Sequence, residues 1–293
     1  MNEVFDFAEY SRFCLQKPFD FSKNSSIGCG GFATLVFYPN NVSEWIEIIK
    51  QLQRDGIPYY VLGNLTNVLP PDGVSKRVIV SAKRVDGIVM GDNVFVYAGV
   101  SSGELLRACR REQRSGVEFL SGIPCTLGGA LYMNAGAGGK YISDVVENVV
   151  VFREGKKRVL SLKDCEYGYK YSVFMRNEDV ILGATLRLEK SNAEKIEEEE
   201  KNYLSRRKSL PKGKSMGCVF KNPQGLYAGD LIERSGLKGL RVGGAKISNE
   251  HANFIINEGY ATSMDIKSLI ALVKNAVKSQ YGVCLEEEIR YLE

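Results

Sequence analysis

Two turns rich in glycine and asparagine are the parts of the sequence best suited to hold a large polar ligand. The longer one, residues 121–139, contains six glycines in nineteen residues, and the shorter one, Gly63–Asn67, separates two apolar runs. Because glycine has no Cβ, such a backbone can adopt positive φ and let N–H groups converge on an anion such as a pyrophosphate. The alternative is a set of tight turns that join buried strands. Two such turns in one half of the chain favour one extended ligand bound at two places.

The histidine and cysteine content excludes several other kinds of site. His251 is the only histidine, so polyhistidine metal sites are excluded, and a Ser-His or Cys-His hydrolase would have to use that residue as its base. The seven cysteines are odd in number and never spaced as Cys-x-x-Cys, which argues against a disulfide framework and a zinc cluster. We therefore expect no bound metal and a reducing compartment.

The composition is typical of a globular enzyme. The 293 residues suffice for one large or two ordinary domains, and the net charge of +4 comes from basic residues dispersed among acidic ones. This dispersal does not indicate a nucleic-acid groove but would suit a small anionic substrate. Residues 1–21 lack the basic patch and apolar run of a signal peptide, and no stretch approaches the ~20 apolar residues of a membrane span. We expect a cytoplasmic protein that binds neither nucleic acid nor membrane.

The elements that must position the shorter turn alternate between strand and helix. Apolar residues at the helical period predict an amphipathic helix over residues 42–54, and the strand predicted over 59–62 leads directly into Gly63. This β-α-β order places a candidate anion site at the carboxyl end of a strand. Around it we expect a short helix over 3–16, a strand over 35–39 and a β-meander within 77–98.

The second half of the chain mixes sheet and helix before it ends in a compact α+β segment. The charged helix predicted over residues 193–208 marks the boundary between the two parts. We expect further helices over 102–114 and 263–281, and strands over 145–152, 158–160, 180–188, 251–256 and 285–292.

Longer motifs in a fixed order extend over nearly the whole chain. They include an Ile-Pro-x-Thr-x-Gly-Gly element and a Met-Asn-Ala-Gly-Ala element within the long glycine turn. On these motifs the sequence resembles the UDP-N-acetylenolpyruvoylglucosamine reductase (MurB) family, flavoenzymes of bacterial peptidoglycan precursor synthesis. The matching segments are Gly30–Ala33, Val61–Leu69, Gly116–Gly139, Tyr169–Phe174, Gly217–Pro223, Gly236–Asn257 and Gly282–Arg290.

The resemblance implies an α+β protein. Its two-subdomain FAD-binding fold would be of the vanillyl-alcohol-oxidase (PCMH) type, with FAD between the subdomains and a C-terminal α+β domain that closes over the substrate. The implied limits are an N-terminal helical segment at 1–22, an FAD-binding domain at 23–203 with subdomains at about 23–84 and 85–203, and a substrate domain at 204–293. The chain looks like the shorter subtype, because it has no room for the tyrosine-bearing substrate loop.

The resemblance also implies the reaction and its partners. NADPH would reduce FAD, and the flavin N5 would pass a hydride to C3 of the enolpyruvyl ether of a UDP-sugar. The carbanion at C2 then needs a cation or acid beside the carboxylate and a proton donor on the side opposite the flavin. The expected partners are the UDP-sugar and NADPH, and the expected state is a monomer.

Cys218 stands where the family has its proton-donating serine, in the motif Gly-Ser-x-Phe-Lys-Asn-Pro. A thiol, with an ordinary pKa of ~8.5, is a much stronger acid than an alkyl hydroxyl and is still mostly protonated at neutral pH. It could therefore deliver the same proton. The alternative is a buried cysteine that serves only packing.

Two charged residues fall at the family's other catalytic positions. Lys170 replaces an arginine and would stabilise the enolate as a point charge rather than through a planar fork, and the alternative is an exposed structural lysine. Glu288 matches the second glutamate of Leu-Glu-x-Glu-Val. In a strand, Glu286 and Glu288 lie on the same face and Glu287 on the opposite one. The alternation of side chains therefore does not by itself decide between Glu288 and Glu286. The spacing to Ile289 and Arg290 favours Glu288.

The family's binding residues carry over to the two turns and to the segments around the catalytic positions. Family members usually have glycine where Leu65 and Cys125 stand, so both residues add a Cβ where the backbone should approach phosphate. The cofactor residues are Gly63, Asn64, Leu65, Thr66, Asn67, Gly122, Ile123, Cys125, Thr126, Gly128, Gly129, Asn134, Ala135 and Gly136. The substrate residues are Tyr169, Ser172, Lys221 and Asn222.

Two other functions remain open on the sequence alone. The departures at Cys218, Lys170 and Cys125 would also suit an FAD oxidoreductase of the same fold with another substrate. A catalytically idle paralogue that binds FAD or a sugar nucleotide belongs to a different class. A yellow purified protein, absorbing near ~450 nm, would argue against a role without flavin.

Overall fold

The computed structural model describes residues 10–13, 15–16 and 18–293, and the chain forms two compact units. The first unit contains the described residues up to Phe19 together with Thr34–Gly63 and Arg77–Ser205, and the second contains Asp20–Ala33, Asn64–Lys76 and Arg206–Glu293. Two short N-terminal segments thus pack with the C-terminal part of the chain. The domain limits at 22, 84 and 203 stay a prediction.

A four-stranded sheet in the first unit is built on the expected β-α-β order. Asn41 caps helix Val42–Arg54 by accepting the N–H of Glu44, and the helix buries Trp45 and Leu52. The helix leads into strand Tyr59–Leu62, as predicted, and that strand ends at Gly63. The strand order in this sheet is Leu15–Gln16, Val36–Phe37, Val78–Ser81 and Tyr59–Leu62.

The β-meander predicted within residues 77–98 is wrong for its first strand. Strand Val78–Ser81 pairs in parallel with Tyr59–Leu62, whereas Ile88–Val89 and Val94–Tyr97 pair antiparallel in a separate sheet. All four residues of Val78–Ser81 are buried, which is typical of a parallel strand covered on both faces. A β-branched run therefore predicted the strand correctly but not its partner.

The second sheet of the first unit has five antiparallel strands. Helices Ser102–Arg111 and Leu127–Met133 belong to the same unit, and one apolar core includes Val149, Val151 and Leu131. The strand order is Lys156–Ser161, Val146–Arg153, Val180–Leu186, Val94–Tyr97 and Ile88–Val89.

Two predicted helices of the first unit need correction. The helix predicted over 102–114 ends at Arg111, because Gln113 has φ 52° and Arg114–Ser115 pairs with strand Glu189–Lys190. The helix predicted over 3–16 falls largely outside the described residues, and within them Leu15–Gln16 is a strand. The charged helix is present as Ala193–Arg206.

The second unit packs helix Ser263–Tyr281 with an antiparallel sheet. Thr262 and Asp265 form a reciprocal capping box at the start of this helix, and Gly282 ends it with φ 69°, so its predicted limits are confirmed. The sheet has strands Arg241–Val242, Ala245–Ile247 and Ile255–Asn257. The remaining elements are helices Phe21–Asn24 and Ala228–Arg234 and strands Phe19–Asp20, Phe32–Ala33, Val68–Leu69, Val74–Ser75 and Arg290–Tyr291.

Two predicted strands of the second unit are shorter than expected. Of residues 251–256 only the end is extended, in strand Ile255–Asn257. The preceding residues form a turn instead, because the N–H of Phe254 donates to the carbonyl of His251. Of residues 285–292 only Arg290–Tyr291 forms a ladder, in parallel with Val68–Leu69. Across the described part of the chain, no helix has the length and hydropathy needed to cross a membrane.

Candidate active site

In the first unit, helix Leu127–Met133 fixes the long glycine turn. Thr126 caps the helix, its hydroxyl accepting the N–H of Gly129 at 3.3 Å. The N–H of Leu127 donates to Val100 at 2.8 Å, and that of Gly128 donates to Ala98 at 2.9 Å. These three N–H groups therefore bond within the protein, and the turn must present other groups to a ligand.

The groups left for a ligand in this turn are exposed glycine backbone and one hydroxyl. Gly122, with φ 75°, and Gly129 are exposed. Beside Gly122, the Ser121 hydroxyl is buried and has no hydrogen-bond partner among the described residues. A buried hydroxyl without a partner is costly unless a further group satisfies it. Backbone without Cβ atoms and an unsatisfied hydroxyl fit a large polar group such as the pyrophosphate of FAD.

Gly63 contacts the same cap. A Cβ built on Gly63 would lie 2.3 Å from the Thr126 hydroxyl oxygen, far inside van der Waals contact. At Gly129, by contrast, a Cβ would meet the same oxygen at 3.5 Å, an ordinary contact. Close packing thus requires glycine at Gly63, whereas the fold itself would tolerate a side chain at Gly129.

Asn134 connects the glycine turn to the segment that carries Lys170. It ends helix Leu127–Met133 in the left-handed region with φ 44°, and it is buried. Its amide Nδ2 donates to the carbonyl of Gly168 at 2.9 Å, and its Oδ1 accepts the N–H of Ser143 at 3.2 Å. The side chain of this predicted cofactor residue is therefore used for internal positioning.

Lys170 lies in a two-residue turn. The flanking residues Gly168 and Tyr171 exchange backbone hydrogen bonds of 3.0 and 3.3 Å, and Lys170 has φ 53°. A left-handed conformation costs a non-glycine residue about 1–2 kcal/mol. A two-residue turn requires such a conformation, so this φ is explained by the turn between Gly168 and Tyr171.

The two predicted substrate residues that flank Lys170 differ in exposure. Tyr169 is 45% exposed, whereas Ser172 is fully buried. The Ser172 hydroxyl donates to the carbonyl of Tyr132 at 2.6 Å. Ser172 therefore holds the turn against helix Leu127–Met133, and Tyr169 is the residue of the two that can reach a ligand.

Leu65 and Cys125, which replace the family's usual glycines, are both buried. Leu65 has φ 51°, so its backbone has the conformation that glycine adopts most easily. Burying a leucine side chain contributes roughly 1.5–3 kcal/mol, which offsets a conformational cost of about 1–2 kcal/mol. Cys125 belongs to the apolar core of the first unit. Neither side chain lies on an open surface.

In the second unit, backbone pairing fixes the segment that carries Cys218. Cys218 pairs antiparallel with Phe254, and the Val219 N–H donates to the carbonyl of Asn253 at 2.9 Å. From the other side, the Glu288 N–H donates to the Val219 carbonyl at 2.8 Å. The structure thus brings Glu288 against the residue that follows Cys218, and both Cys218 and Glu288 are partly exposed.

The three consecutive glutamates face different partners. Glu286 accepts from the Lys221 ammonium at 2.5 Å, and its carbonyl accepts the Lys221 N–H at 2.8 Å. Glu287 pairs instead with Lys274 of helix Ser263–Tyr281 at 2.7 Å. Glu287 therefore faces the helix, away from Lys221, in agreement with the alternation of a strand.

The shorter turn meets the same strand. The side-chain amide of Asn67 donates to the carbonyl of Glu288 at 3.2 Å, and the Arg290 N–H donates to the carbonyl of Asn67 at 2.9 Å. Strands Val68–Leu69 and Arg290–Tyr291 continue this contact in parallel. A residue predicted to bind the cofactor thus lies directly against a residue predicted to be catalytic.

Asn222 and Asn253 both bond to backbone groups within the second unit. Asn222, a predicted substrate residue, accepts the N–H of Ala228 at 3.0 Å and so supports the start of helix Ala228–Arg234. Asn253, which sequence reasoning missed, is buried and contacts Phe220 through both side-chain polar atoms. The available signal was a polar residue among apolar ones in the segment predicted as a strand.

Two family models match the chain in separate regions. The FAD binding domain matches residues 33–160, and the C-terminal domain of UDP-N-acetylenolpyruvoylglucosamine reductase matches residues 208–292. The α+β fold, with an FAD-binding part followed by a distinct C-terminal part, is therefore as predicted.

Full-length relatives agree with both matches. The chain is 38% identical to the UDP-N-acetylenolpyruvoylglucosamine reductase of Caldanaerobacter subterraneus over 92% of the chain and 90% of the relative. It is 35% identical to that of Syntrophomonas wolfei over 99% and 98%. The crystal structure of the Thermus caldophilus enzyme superposes with a TM-score of 0.81 at 33% identity, covering 96% of this chain and 99% of that one. The chain therefore belongs to the UDP-N-acetylenolpyruvoylglucosamine reductase family of FAD-dependent oxidoreductases, which act in peptidoglycan precursor synthesis.

Proposed function

We propose that this chain reduces the enolpyruvyl ether of UDP-N-acetylglucosamine enolpyruvate to UDP-N-acetylmuramate, with NADPH as reductant, in the cytoplasm. The observation that carries the proposal is the backbone pairing that brings Glu288 against the Cys218 segment. Cys218, as an acid, and Glu288, as a carboxylate on the paired segment, would meet the requirement of a carbanion that must be stabilised and then protonated.

The first unit contributes the groups suited to FAD. Bound FAD supplies two-electron transfer between NADPH and the substrate. Exposed Gly122 and Gly129 allow close approach of a pyrophosphate, and the Ser121 hydroxyl gains the partner that it lacks among the described residues. In the second unit, the turn from Asn64 to Asn67, whose Asn67 amide bonds to the Glu288 carbonyl, is proposed to contribute backbone groups to FAD binding.

Cys218 donates the proton to C2 of the substrate in this proposal. Of the six cysteines that the structure describes, four are buried and Cys218 is partly exposed. It also lies outside the apolar core of its unit, although Val219 and Phe220 belong to that core. A packing role therefore explains Cys218 less well than a role at a solvent-accessible site.

Lys170 and Glu288 have the other two catalytic roles in this proposal. The ammonium group of Lys170, presented by a strained two-residue turn, stabilises negative charge on the substrate carboxylate as the enolate forms. Glu288 stabilises or relays protons at the substrate carbanion. Lys221, Asn222 and Tyr169 are the residues proposed to bind the UDP-sugar.

Stopped-flow spectroscopy of the purified protein tests this function. The flavin is reduced by NADPH without oxygen and then mixed with the enolpyruvyl UDP-sugar, while absorbance is followed near ~450 nm. We expect rapid return of the oxidised spectrum and one equivalent of UDP-N-acetylmuramate. A flavin that NADPH reduces but that the sugar nucleotide does not reoxidise would mean another substrate. A protein that binds no FAD would contradict the proposal altogether.

A further inference from the structure

Asn253 clamps the backbone next to Cys218 with three hydrogen bonds. Its side-chain Oδ1 accepts the N–H of Phe220 at 2.9 Å, and its Nδ2 donates to the carbonyl of the same residue at 2.8 Å. Its own carbonyl accepts the N–H of Val219 at 2.9 Å. Asn253 is 3% exposed, so these bonds form where water does not compete with them.

The amide group of Asn253 replaces a neighbouring strand. With one planar group, an amide side chain can accept from an N–H and donate to a C=O of the same residue, as a β-ladder would. On the opposite side, Val219 accepts from the N–H of Glu288, and Phe220 pairs with Glu287. The two residues after Cys218 are thus held between Asn253 and the glutamate segment.

We infer that Asn253 is a positioning residue for proton delivery. By fixing Val219 and Phe220, it sets the position of Cys218 relative to Glu288 without touching the substrate. The inference rests on the proposed function for its kinetic consequence, because the step that needs an acid is the reoxidation of reduced flavin by the enolpyruvyl sugar. Reduction of the flavin by NADPH needs no proton at C2.

Asn257 provides a matched control within the same unit. It is 4% exposed, and its Nδ2 donates to the carbonyls of Ile27 and Gly28 at 2.9 and 3.0 Å. Its Oδ1 accepts the N–H groups of Gly259 and Ala261 at 2.8 and 2.9 Å. Replacing Asn257 removes at least as many buried hydrogen bonds as replacing Asn253, but none of the removed side-chain bonds reaches the Cys218 segment.

Hydrogen exchange and stopped-flow kinetics of Asn253→Ala and Asn257→Ala test the inference. We expect Asn253→Ala to speed amide exchange in the peptide covering Gly217–Lys221, and Asn257→Ala to speed exchange at Gly259 and Ala261 instead. Flavin reduction should stay within about twofold of the wild type in both variants. Reoxidation should slow roughly 10- to 10²-fold in Asn253→Ala, the range expected of a misplaced reacting group, and change little in Asn257→Ala.

Equal slowing of reoxidation in both variants, or none in Asn253→Ala, would overturn the inference. If Asn253→Ala does not fold, Asn253→Asp keeps the acceptor and loses the donor, and the same contrast with Asn257→Asp is expected. A wild type that the sugar nucleotide does not reoxidise would contradict the proposed function separately. The positioning role of Asn253 would then be tested by the rate at which iodoacetamide alkylates Cys218. This rate should change several-fold in Asn253→Ala and not in Asn257→Ala. An unchanged rate in Asn253→Ala would overturn the inference.

Discussion

The glycine turn of the first unit and the Cys218 segment of the second reach fixed geometry by different means. The glycine turn depends on special backbone conformations, with Gly122, Asn134 and Gly138 all at positive φ. The Cys218 segment, which bends at Val219 between isolated bridges at Cys218 and Phe220, is held on both sides by pairing, with Asn253 in place of one strand. In the glycine turn, the residue type determines whether the backbone can adopt its conformation. In the Cys218 segment, the hydrogen bonds to the partner segments determine the backbone conformation.

This difference changes how substitutions should act in the two regions. In the glycine turn a single Cβ can block either the fold or the ligand, depending on the direction in which it points. In the Cys218 segment the backbone tolerates many residue types, so a substitution acts mainly through the chemistry of the side chain. Experiments that separate stability, cofactor affinity and turnover can therefore test each region independently.

The glutamates of the second unit give the largest expected contrast. Glu288→Gln removes the proposed proton relay and should lower turnover at least ~10²-fold. Glu287→Gln breaks the ion pair with Lys274, which faces helix Ser263–Tyr281, and should leave turnover within about twofold. Steady-state kinetics of both variants checks this. Equal losses would show that the two side chains do not face opposite sides as the pairing requires.

Gly63 and Gly129 both lie near the Thr126 hydroxyl, but their substitutions should have different effects. Gly63→Ala places a Cβ against the Thr126 hydroxyl and should disturb the helix cap, lowering the free energy of unfolding by about 1 kcal/mol and weakening FAD binding. Gly129→Ala has room within the protein and should preserve stability, while weakening FAD binding roughly 10-fold by obstructing the pyrophosphate.

Urea unfolding of the apoprotein and fluorescence titration with FAD separate these two effects. Gly129→Ala is the decisive variant, because its nearest protein contact is ordinary. If it binds FAD as tightly as the wild type, the cofactor does not approach this end of the helix, and the proposed role of the turn must be revised.

The smallest expected effect is a change in stability with pH at His251, which bonds to Asn253. Its Nδ1 accepts the N–H of Asn253 at 3.2 Å, an interaction that requires the neutral ring. Burial lowers the pKa of His251 below its ordinary value of ~6.5, against the opposing influence of Asp230 and Glu233. Between the folded and unfolded pKa the unfolded chain binds more protons, so this contribution to stability is complete above pH ~6.5 and is lost as pH falls through the folded value.

Urea unfolding at several pH values checks that contribution. His251→Asn retains an acceptor near the position of Nδ1 but does not titrate, so its stability should fall less than that of the wild type between pH 7 and pH 5. Parallel curves for the two proteins would mean that His251 does not couple to folding in this range.

Local patterns predicted the elements whose ends are fixed by nearby residues. Helix Ser263–Tyr281 has its capping box and its terminal glycine in the sequence, and helix Val42–Arg54 has its capping asparagine. Strand Val78–Ser81 was predicted, but its parallel partner was not, because pairing depends on which faces become buried. The partial pairing of residues 285–292 was missed for the same reason.

The candidate site was predictable as segments but less so as individual contacts. Motifs identified the Cys218 segment, the Lys170 turn and the Glu288 strand. They did not reveal that Ser172 would bond inward to Tyr132, or that Asn253 would bond to Phe220 across more than thirty residues of chain. Such contacts depend on which distant segments of the chain pack together, and a short motif does not indicate this.

Cys218→Ala, measured in the two half-reactions, tests whether Cys218 donates the proton. Flavin reduction by NADPH should stay nearly unchanged, and reoxidation by the enolpyruvyl sugar should slow at least ~10²-fold, as expected for loss of a positioned general acid. Cys218→Ser, which restores a hydroxyl of similar size, should recover much of that rate. Reoxidation of Cys218→Ala at the wild-type rate would contradict the account, because Cys218 would then be a packing residue and the proton would have to come from another group, with Glu288 the first candidate.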